Sequence, residues 1–130
     1  MVGLVEVKLR TQDATIRLSA DDRQWCQVEL EVGERRAVLG AESRMVVIQR
    51  LLLGLEDELS GKRSGELAGH PVRWVASFSE RHCSVYACDV GGERHLFFQA
   101  ANGDLLATVL ISREQRHEWA RTLEDWGREP

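Results

Sequence analysis

A chain of 130 residues with a formal net charge of −4 is long enough for one hydrophobic core and short for two. Its composition, with 43% hydrophobic residues, 29% charged residues and two prolines, is that of a folded globular chain and excludes extensive disorder. The acidic balance removes an overall electrostatic attraction to nucleic acid, although a local basic face would still allow it. We therefore expect a single domain over residues 1–130.

The N-terminal residues and the lengths of the apolar runs predict a cytoplasmic protein without a membrane span. Residues 1–10 mix acidic and basic side chains with apolar ones, which argues against a secretory signal. The longest apolar runs are far shorter than the roughly 20 residues of a membrane-spanning helix. The three cysteines, Cys26, Cys83 and Cys88, form neither an even-numbered framework nor a C-x-x-C pair, so we expect reduced thiols.

Residues 4–60 predict four alternating strands followed by a helix. Apolar and polar residues alternate in these strands, as is typical of a sheet with one face on a core. A tight turn at Gly33-Glu34 is expected to set Val28 opposite Leu39. The other face of this sheet is predicted to be solvated and carries Glu6, Lys8, Thr15, Arg17, Glu29 and Glu31.

The helix of this first unit is predicted from Ser43 to Leu59. Its apolar residues recur at three- and four-residue steps, which indicates a helix with one face on a core. Gly54 lies within the helix and predicts close packing there. The predicted stripe consists of Met45, Ile48, Leu52, Leu55 and Leu59, broadened by Val47 and Leu51.

Residues 71–126 predict the same series of elements again, after a turn-rich connection at residues 60–65. Gly91-Gly92 and Asn102-Gly103 are two-residue hairpin signals, because a type I′ turn needs positive φ at both central positions. With a third turn at Glu80-Arg81, all the strands present one common face to the core. That predicted core face consists of Trp74, Ala76, Phe78, Val85, Ala87, Leu96, Phe98, Ala107 and Val109.

The last helix is predicted to open at a capping box from Ser112 to Gln115. Trp119, Leu123 and Trp126 then recur at helical spacing, which predicts packing on a sheet. The predicted fold class is therefore α+β: two successive antiparallel four-strand meanders, each followed by a helix (ββββα-ββββα), in one compact domain. The units span residues 4–60 and 71–126.

The second face of the C-terminal sheet is the candidate binding surface. By the same register this face mixes apolar, aromatic and polar residues, so it is typical neither of a buried face nor of a solvated one. Its residues are Arg73, Val75, Tyr86, Cys88, His95, Phe97, Leu106, Thr108 and Leu110. Tyr86 and Phe97, flanked by Arg73 and His95, would suit a base, a peptide or another protein. A covering helix or a second subunit would explain the same pattern.

Catalytic and metal-binding motifs do not occur in the sequence. Cys88 and His95 are predicted cross-strand neighbours, but a zinc site needs three or four ligands. Cys83 and the adjacent His82 would point to opposite faces of a strand, which does not suit a nucleophile and its base. No H-E-x-x-H motif, phosphate-binding glycine-rich loop or G-x-S-x-G elbow is present. We expect no enzyme activity, no metal and no cofactor.

The order of elements resembles that of the whirly and Pur-type single-stranded nucleic-acid binders, which consist of tandem four-strand-plus-helix units. This resemblance implies binding along an exposed sheet face, here through Arg73, Tyr86, His95 and Phe97. The small size, the acidic charge and the lack of catalytic motifs also resemble bacterial immunity-type proteins, which neutralise a toxin by covering its active site. An acidic inhibitor would complement a basic nuclease in charge.

We therefore predict a non-enzymatic protein that binds a protein partner, of which an immunity-type inhibitor is one example. Binding of single-stranded nucleic acid is the alternative, disfavoured by the net charge of −4. A homodimer through the partly apolar sheet face is the third hypothesis.

Overall fold

The computed structural model describes residues 5–21, 23–79 and 82–129. In these residues the chain forms nine strands and two helices, which confirms the predicted α+β class. The elements are β1 (Val5–Arg10), β2 (Ala14–Ala20), β3 (Trp25–Val32), β4 (Arg35–Ser43), α1 (Arg44–Leu53), β5 (Arg63–Leu67), β6 (His70–Phe78), β7 (Cys83–Val90), β8 (Glu93–Ala100), β9 (Leu105–Ser112) and α2 (Arg113–Gly127).

The strands form two antiparallel sheets in which each strand pairs with its neighbours in sequence. The first sheet has the order β1-β2-β3-β4 and precedes α1, and the second has the order β5-β6-β7-β8-β9 and precedes α2. Both helices contact both sheets. α1 packs on β3, β4 and β6, whereas α2 packs on β9 and reaches β1 through Trp119, whose Nε1 donates to the carbonyl oxygen of Arg10 at 3.2 Å. The buried apolar residues of both sheets and both helices form one cluster.

The second sheet has one strand more than the sequence predicts. β5 begins inside the predicted connection at residues 60–65 and pairs with β6 across a turn at Ala68-Gly69. Both turn residues have positive φ, 51° and 81°, as a type I′ turn requires. β5 is largely exposed and lacks the alternating apolar residues that predict a strand, so its pairing with β6 alone defines it.

A β-bulge in β6 makes the predicted position of Trp74 wrong. The register shifts between Trp74 and Ala76, so Trp74 lies opposite Tyr86 rather than Ala87. One extra residue reverses the faces of everything that precedes it. Trp74 therefore lies on the outer face, where it is 41% exposed, and Arg73 has moved off that face. Downstream of the bulge, the predicted register is correct for β7 with β8 and for most of β8 with β9.

A second bulge lies in the first sheet, where Val28 pairs with Gly40 and not with Leu39 as predicted. The shift brings the Gly40 backbone against the end of β6. A Cβ atom at Gly40 would lie 2.6 Å from Ser79 Oγ, so only glycine fits. Ser79 Oγ accepts a hydrogen bond from the Ala41 N–H at 2.9 Å, which links β4 of the first sheet to the second.

The outer face of the first sheet is polar and charged, as predicted from the sequence. Arg17 Nη2 lies 2.8 Å from a Glu31 carboxylate oxygen, and Arg36 Nε lies 3.5 Å from the same oxygen. Val38 pairs with Glu29 and is an exposed apolar residue among these charges. Ion pairing therefore offsets opposite charges on this face.

α1 ends at Leu53, six residues before its predicted end at Leu59. Gly54 follows as the C-cap residue, and a Cβ atom there would lie 3.3 Å from Val75, which accounts for the close packing expected at this glycine. Met45, placed in the predicted stripe, is exposed. The apolar residues of α1 that are buried are Val47, Ile48 and Leu51.

α2 opens at the predicted capping box, with Ser112 Oγ accepting from the Gln115 N–H at 3.1 Å and Gln115 Oε1 accepting from the Ser112 N–H at 3.0 Å. Its buried residues include the predicted Trp119, Leu123 and Trp126. Neither described helix is long and apolar enough to cross a membrane.

Arg94, on the inner face of β8, is only 1% exposed, and all five of its N–H groups have acceptors. Nε and Nη2 donate to the two carboxylate oxygens of Asp89 at 2.7 and 2.9 Å. Nη1 donates to the carbonyl oxygens of Gly54, at 3.0 Å, and Glu56. Nη2 also donates to the carbonyl oxygen of Asp57 at 3.2 Å. This guanidinium ties the backbone that follows α1 to the second sheet.

Arg116 of α2 extends the same network. Its Nη1 donates to the carbonyl oxygen of Glu56 at 2.9 Å and to Asp57 Oδ1 at 3.3 Å. His117 Nε2 lies 3.1 Å from the same Asp57 oxygen, and this hydrogen bond lowers the pKa of Asp57. Burial lowers the pKa of Arg116. The start of α2 therefore holds the segment that leaves α1.

The opposite ends of the two helices are joined in a similar way. Arg44, the first residue of α1, donates from Nη1 to the carbonyl oxygen of Trp126 at 3.2 Å and from Nη2 to that of Glu129 at 2.6 Å. Its guanidinium carbon also lies 5.5 Å from the centroid of the Trp126 ring. Because the last carbonyl groups of a helix lack intrahelical partners and carry partial negative charge, an arginine there is stabilising.

The three cysteines are unpaired and buried, in agreement with the expected reduced thiols. Burial raises the pKa of Cys26 and that of Cys83 to about 11, and it also raises the pKa of Cys88. The thiolate, which is the reactive form, is therefore disfavoured in the folded state.

We expect Arg94→Met to lower the free energy of unfolding by about 3 kcal/mol, because it leaves Asp89 and the carbonyl groups of Gly54 and Asp57 without their donor. Arg36→Met is the matched control, since the Arg36 side chain is 64% exposed, and its effect should stay within about 0.5 kcal/mol. Urea denaturation followed by tryptophan fluorescence measures both. If the two substitutions lowered the free energy of unfolding equally, the hydrogen bonds of Arg94 would not be important for stability.

We expect the thiols of the folded protein to react with an aromatic disulfide reagent at about pH 8 roughly 100-fold more slowly than those of the urea-unfolded chain. Because the folded-state pKa of Cys26 and of Cys83 is raised, their contribution to stability is complete below the unfolded-state pKa, and it is lost as the pH rises toward about 11. Counting modified thiols with time tests this expectation, and rapid modification of all three in the native protein would contradict it.

Candidate functional site

A cavity of about 470 Å³ crosses the outer face of the second sheet and is lined by all five of its strands. We call it the trough. Its apolar lining residues are Leu67, Val72, Tyr86, Phe97 and Leu105. Its polar lining residues are Ser64, Glu66 and Gln99. Since residues from both edge strands line one cavity, the sheet is concave on this side.

Irregular pairing accounts for the concave shape. The register shifts between Arg63 and Glu66 in β5, between Trp74 and Ala76 in β6, and at Leu106 in β9, which is the extra residue opposite Phe98 and Gln99. Bulges of this kind bend a strand and increase its local twist. The trough thus results from three departures from a regular ladder.

A row of aromatic side chains runs across the strands, and two of its members, Tyr86 and Phe97, line the trough. Trp74 pairs with Tyr86, Tyr86 pairs with Phe97, and Phe97 pairs with Thr108. Side chains of directly paired residues lie on the same face of a sheet, so three aromatic rings stand next to one another. Trp74 Nε1 donates to Ser77 Oγ at 3.3 Å, which orients the indole ring along the face.

His95 lies in the next row, where it pairs with Cys88 on one side and Leu110 on the other. Its imidazole ring stacks on Phe97, with the ring centroids 6.2 Å apart and the planes inclined by 22°. The sequence placed Cys88 and His95 as cross-strand neighbours, and the register confirms that pairing. The Cys88 thiol is buried, however, and donates to the carbonyl oxygen of His70 at 3.7 Å.

Within the described parts of the chain, no helix covers this face, because α1 and α2 pack against the inner sides of the sheets. Tyr86 and Phe97 are half-buried by their neighbours in the sheet. Leu105 and Leu110 are exposed beside them. An exposed apolar area with aromatic residues at its centre is typical of an interaction surface.

The structure brings Tyr86, His95 and Phe97 together, as the sequence predicts, but it does not place Arg73 with them. Arg73 pairs with Ala87 of the inner face because the bulge in β6 reverses its direction. Its Nη1 donates to the carbonyl oxygen of Gly61 at 2.9 Å, and it lines a separate cavity. The predicted basic flank on this side of the face is therefore wrong.

Two residues of the site were missed from the sequence. Trp74 takes the position opposite Tyr86 that the predicted register gives to Val75, and no glycine or proline at the bulge marks the shift. Leu105 lines the trough from β9. Leu105 lies opposite Gln99 because Leu106 is an extra residue in β9, and no glycine or proline marks that shift.

The lining of the trough offers apolar contact and ring stacking rather than charge. Its one carboxylate, on Glu66, is ion-paired with Arg63. No group of three or more His, Cys, Asp or Glu side chains in the described chain is placed to hold a metal ion. Chemically, the arrangement suits the binding of an apolar or aromatic surface.

Comparison of this chain with protein-family models, with curated proteins and with solved structures finds no match. The resemblances to whirly and Pur-type proteins and to immunity-type proteins therefore rest on the order of elements, size and charge alone.

Proposed function

We propose that this is a non-enzymatic protein that binds a protein partner in the trough and along the aromatic row. The observation that supports this most strongly is the row of Trp74, Tyr86 and Phe97, which faces outward on a concave sheet that no described helix covers. Tryptophan and tyrosine are enriched among the residues that dominate binding energy at protein interfaces.

The trough selects an apolar segment of the partner. Glu66 is its one acidic group, and the ion pair with Arg63 offsets that charge. A charged segment entering the trough would lose hydration without gaining an opposite charge, which is costly. Leu, Phe or Met side chains on a strand or helix of the partner would instead fill it.

The partner as a whole is expected to be basic. The chain carries a net charge of −4, and charge complementarity speeds the encounter and helps to exclude wrong partners. An immunity-type inhibitor of a basic toxin belongs to this class and is the form of the proposal that we favour.

We expect Phe97→Asp to weaken the complex with the partner by about 30-fold or more, because it places a carboxylate in the centre of an apolar contact. The partner is first isolated from the native source on immobilised protein and identified. It is then purified, so that calorimetry gives the dissociation constants of the wild type and the variant. Thermal unfolding verifies that both are folded.

Val38→Asp is the matched control, since Val38 is an exposed apolar residue on the outer face of the other sheet. Its complex should be as tight as that of the wild type. If Phe97→Asp binds the purified partner as tightly as Val38→Asp does, the trough is not the binding site.

Binding of single-stranded nucleic acid is the second candidate, and the stacking of His95 on Phe97 favours it. Aromatic rings on a sheet can each stack on a base regardless of sequence. Against it stand the net charge of −4 and the position of Arg73 away from the face. The structure offers this candidate stacking without the cationic groove that usually accompanies it.

Fluorescence anisotropy of a labelled single-stranded oligonucleotide at low salt separates the two candidates. We expect no change in anisotropy on addition of the protein. Binding that weakens with rising salt and is lost in Phe97→Asp would instead support the nucleic-acid function and contradict our proposal.

A further inference from the structure

Four of the described strands lie at sheet edges: β1 and β4 in the first sheet, and β5 and β9 in the second. An edge strand presents unpaired N–H and C=O groups, and proteins commonly protect it from pairing with charged side chains. Three of the four edges have this protection. β1 carries Glu6, Lys8 and Arg10, β4 carries Arg35, Arg36 and Glu42, and β5 carries Arg63 and Glu66.

β9 is the exception among these edges. Its eight residues, LLATVLIS, include no charged residue, no proline and no glycine. Leu105, Leu106 and Leu110 are 59%, 41% and 43% exposed along it. A long apolar edge without protecting charges favours the addition of another strand.

We propose that the strand added to β9 is β9 of a second copy of this chain, in antiparallel orientation about a two-fold axis. Such an interface uses the same surface on both copies, so the strand must be complementary to itself. Two five-stranded sheets would then join into one continuous sheet.

The side chains of β9 meet this requirement when the axis passes beside Thr108. Residues whose numbers sum to 216 are then opposite one another from Ala107 to Val109. Leu110 of the second copy lies beside Leu106, the extra residue at which β9 shifts register against β8. Thr108 faces its own counterpart, a pair that stabilises antiparallel sheets. Because the sum is even, outward-facing residues of one copy lie opposite outward-facing residues of the other. The outer faces of both copies therefore lie on one side of the joined sheet.

The charges that flank β9 select the same arrangement. Asp104 immediately precedes the strand, Arg113 immediately follows it, and both side chains are exposed. Antiparallel pairing brings Asp104 of one copy beside Arg113 of the other, and the two-fold axis repeats the contact. Parallel pairing would set like charges side by side. Both hydrophobicity and charge thus identify a second copy as the occupant.

This interface adjoins the proposed partner site, since Leu105 of β9 lines the trough, but the residues that test it lie outside that site. Leu106 and Leu110 lie at the edge of the sheet, and neither lines the trough. Loss of dimerisation in an edge variant and loss of partner binding in Phe97→Asp are therefore independent results.

Sedimentation velocity from micromolar to millimolar concentration tests the proposal on the full chain. We expect a dimer whose dissociation constant rises by about 30-fold or more in Leu106→Lys and in Leu110→Lys, because each places a desolvated ammonium group in the pair. Leu53→Lys, at an equally exposed leucine at the end of α1, should leave the dimer unchanged. Circular dichroism verifies folding of every variant.

A charge exchange tests the orientation. Asp104→Arg should weaken the dimer, and adding Arg113→Asp to it should restore the wild-type dissociation constant. A wild type that stays monomeric at millimolar concentration overturns the proposal, as does a dimer insensitive to Leu106→Lys and Leu110→Lys. Failure of the double variant to recover would overturn the antiparallel arrangement.

Discussion

The guanidinium of Arg94 ties the second sheet to the backbone that follows α1 at one buried point, and Arg116 of α2 binds the same segment. The Arg94 guanidinium neutralises Asp89 within the sheet and donates its remaining N–H groups to the carbonyl oxygens of Gly54, Glu56 and Asp57. Burying an arginine is costly unless every donor is paired, and here every donor is. The arrangement therefore contributes specificity, since any other position of the segment after α1 would leave a buried cation short of acceptors. It also accounts for the early end of α1 at Leu53.

The residue pairs between strands joined by a tight turn were predictable, because the conformation of the turn residues determines the register of the two strands. Gly91 and Gly92 both have positive φ, 62° and 83°, and the register of β7 with β8 follows from them. The same register sets Arg94 opposite Asp89, so the buried ion pair was implicit in it. It was missed because hydrophobic alternation treats arginine as a solvent-facing residue, whereas a paired arginine can occupy a core position.

The site was predictable only downstream of the bulge in β6. Tyr86, His95 and Phe97 lie on the two strands joined by the Gly91-Gly92 turn, whose positive φ values set the register, so their face followed from the sequence. A bulge depends on tertiary packing and left no local signal, and the single extra residue exchanged Arg73 for Trp74. That exchange alters the chemistry of the face from basic and aromatic to apolar and aromatic. An apolar and aromatic face favours binding of a protein over binding of a polyanion such as nucleic acid.

The unequal outer faces of the two sheets follow from where their charges lie. Arg17 and Glu31 lie on neighbouring strands of the first sheet and neutralise each other's charge. In the second sheet the comparable ion pair, between Arg94 and Asp89, belongs to the inner side and contributes to the fold. The outer side keeps the aromatic row, and β9 keeps an uncharged edge.

The two proposals are geometrically compatible, because pairing through β9 would set two troughs on one side of a joined sheet. A partner with two equivalent sites would then bind with an affinity raised by effective concentration.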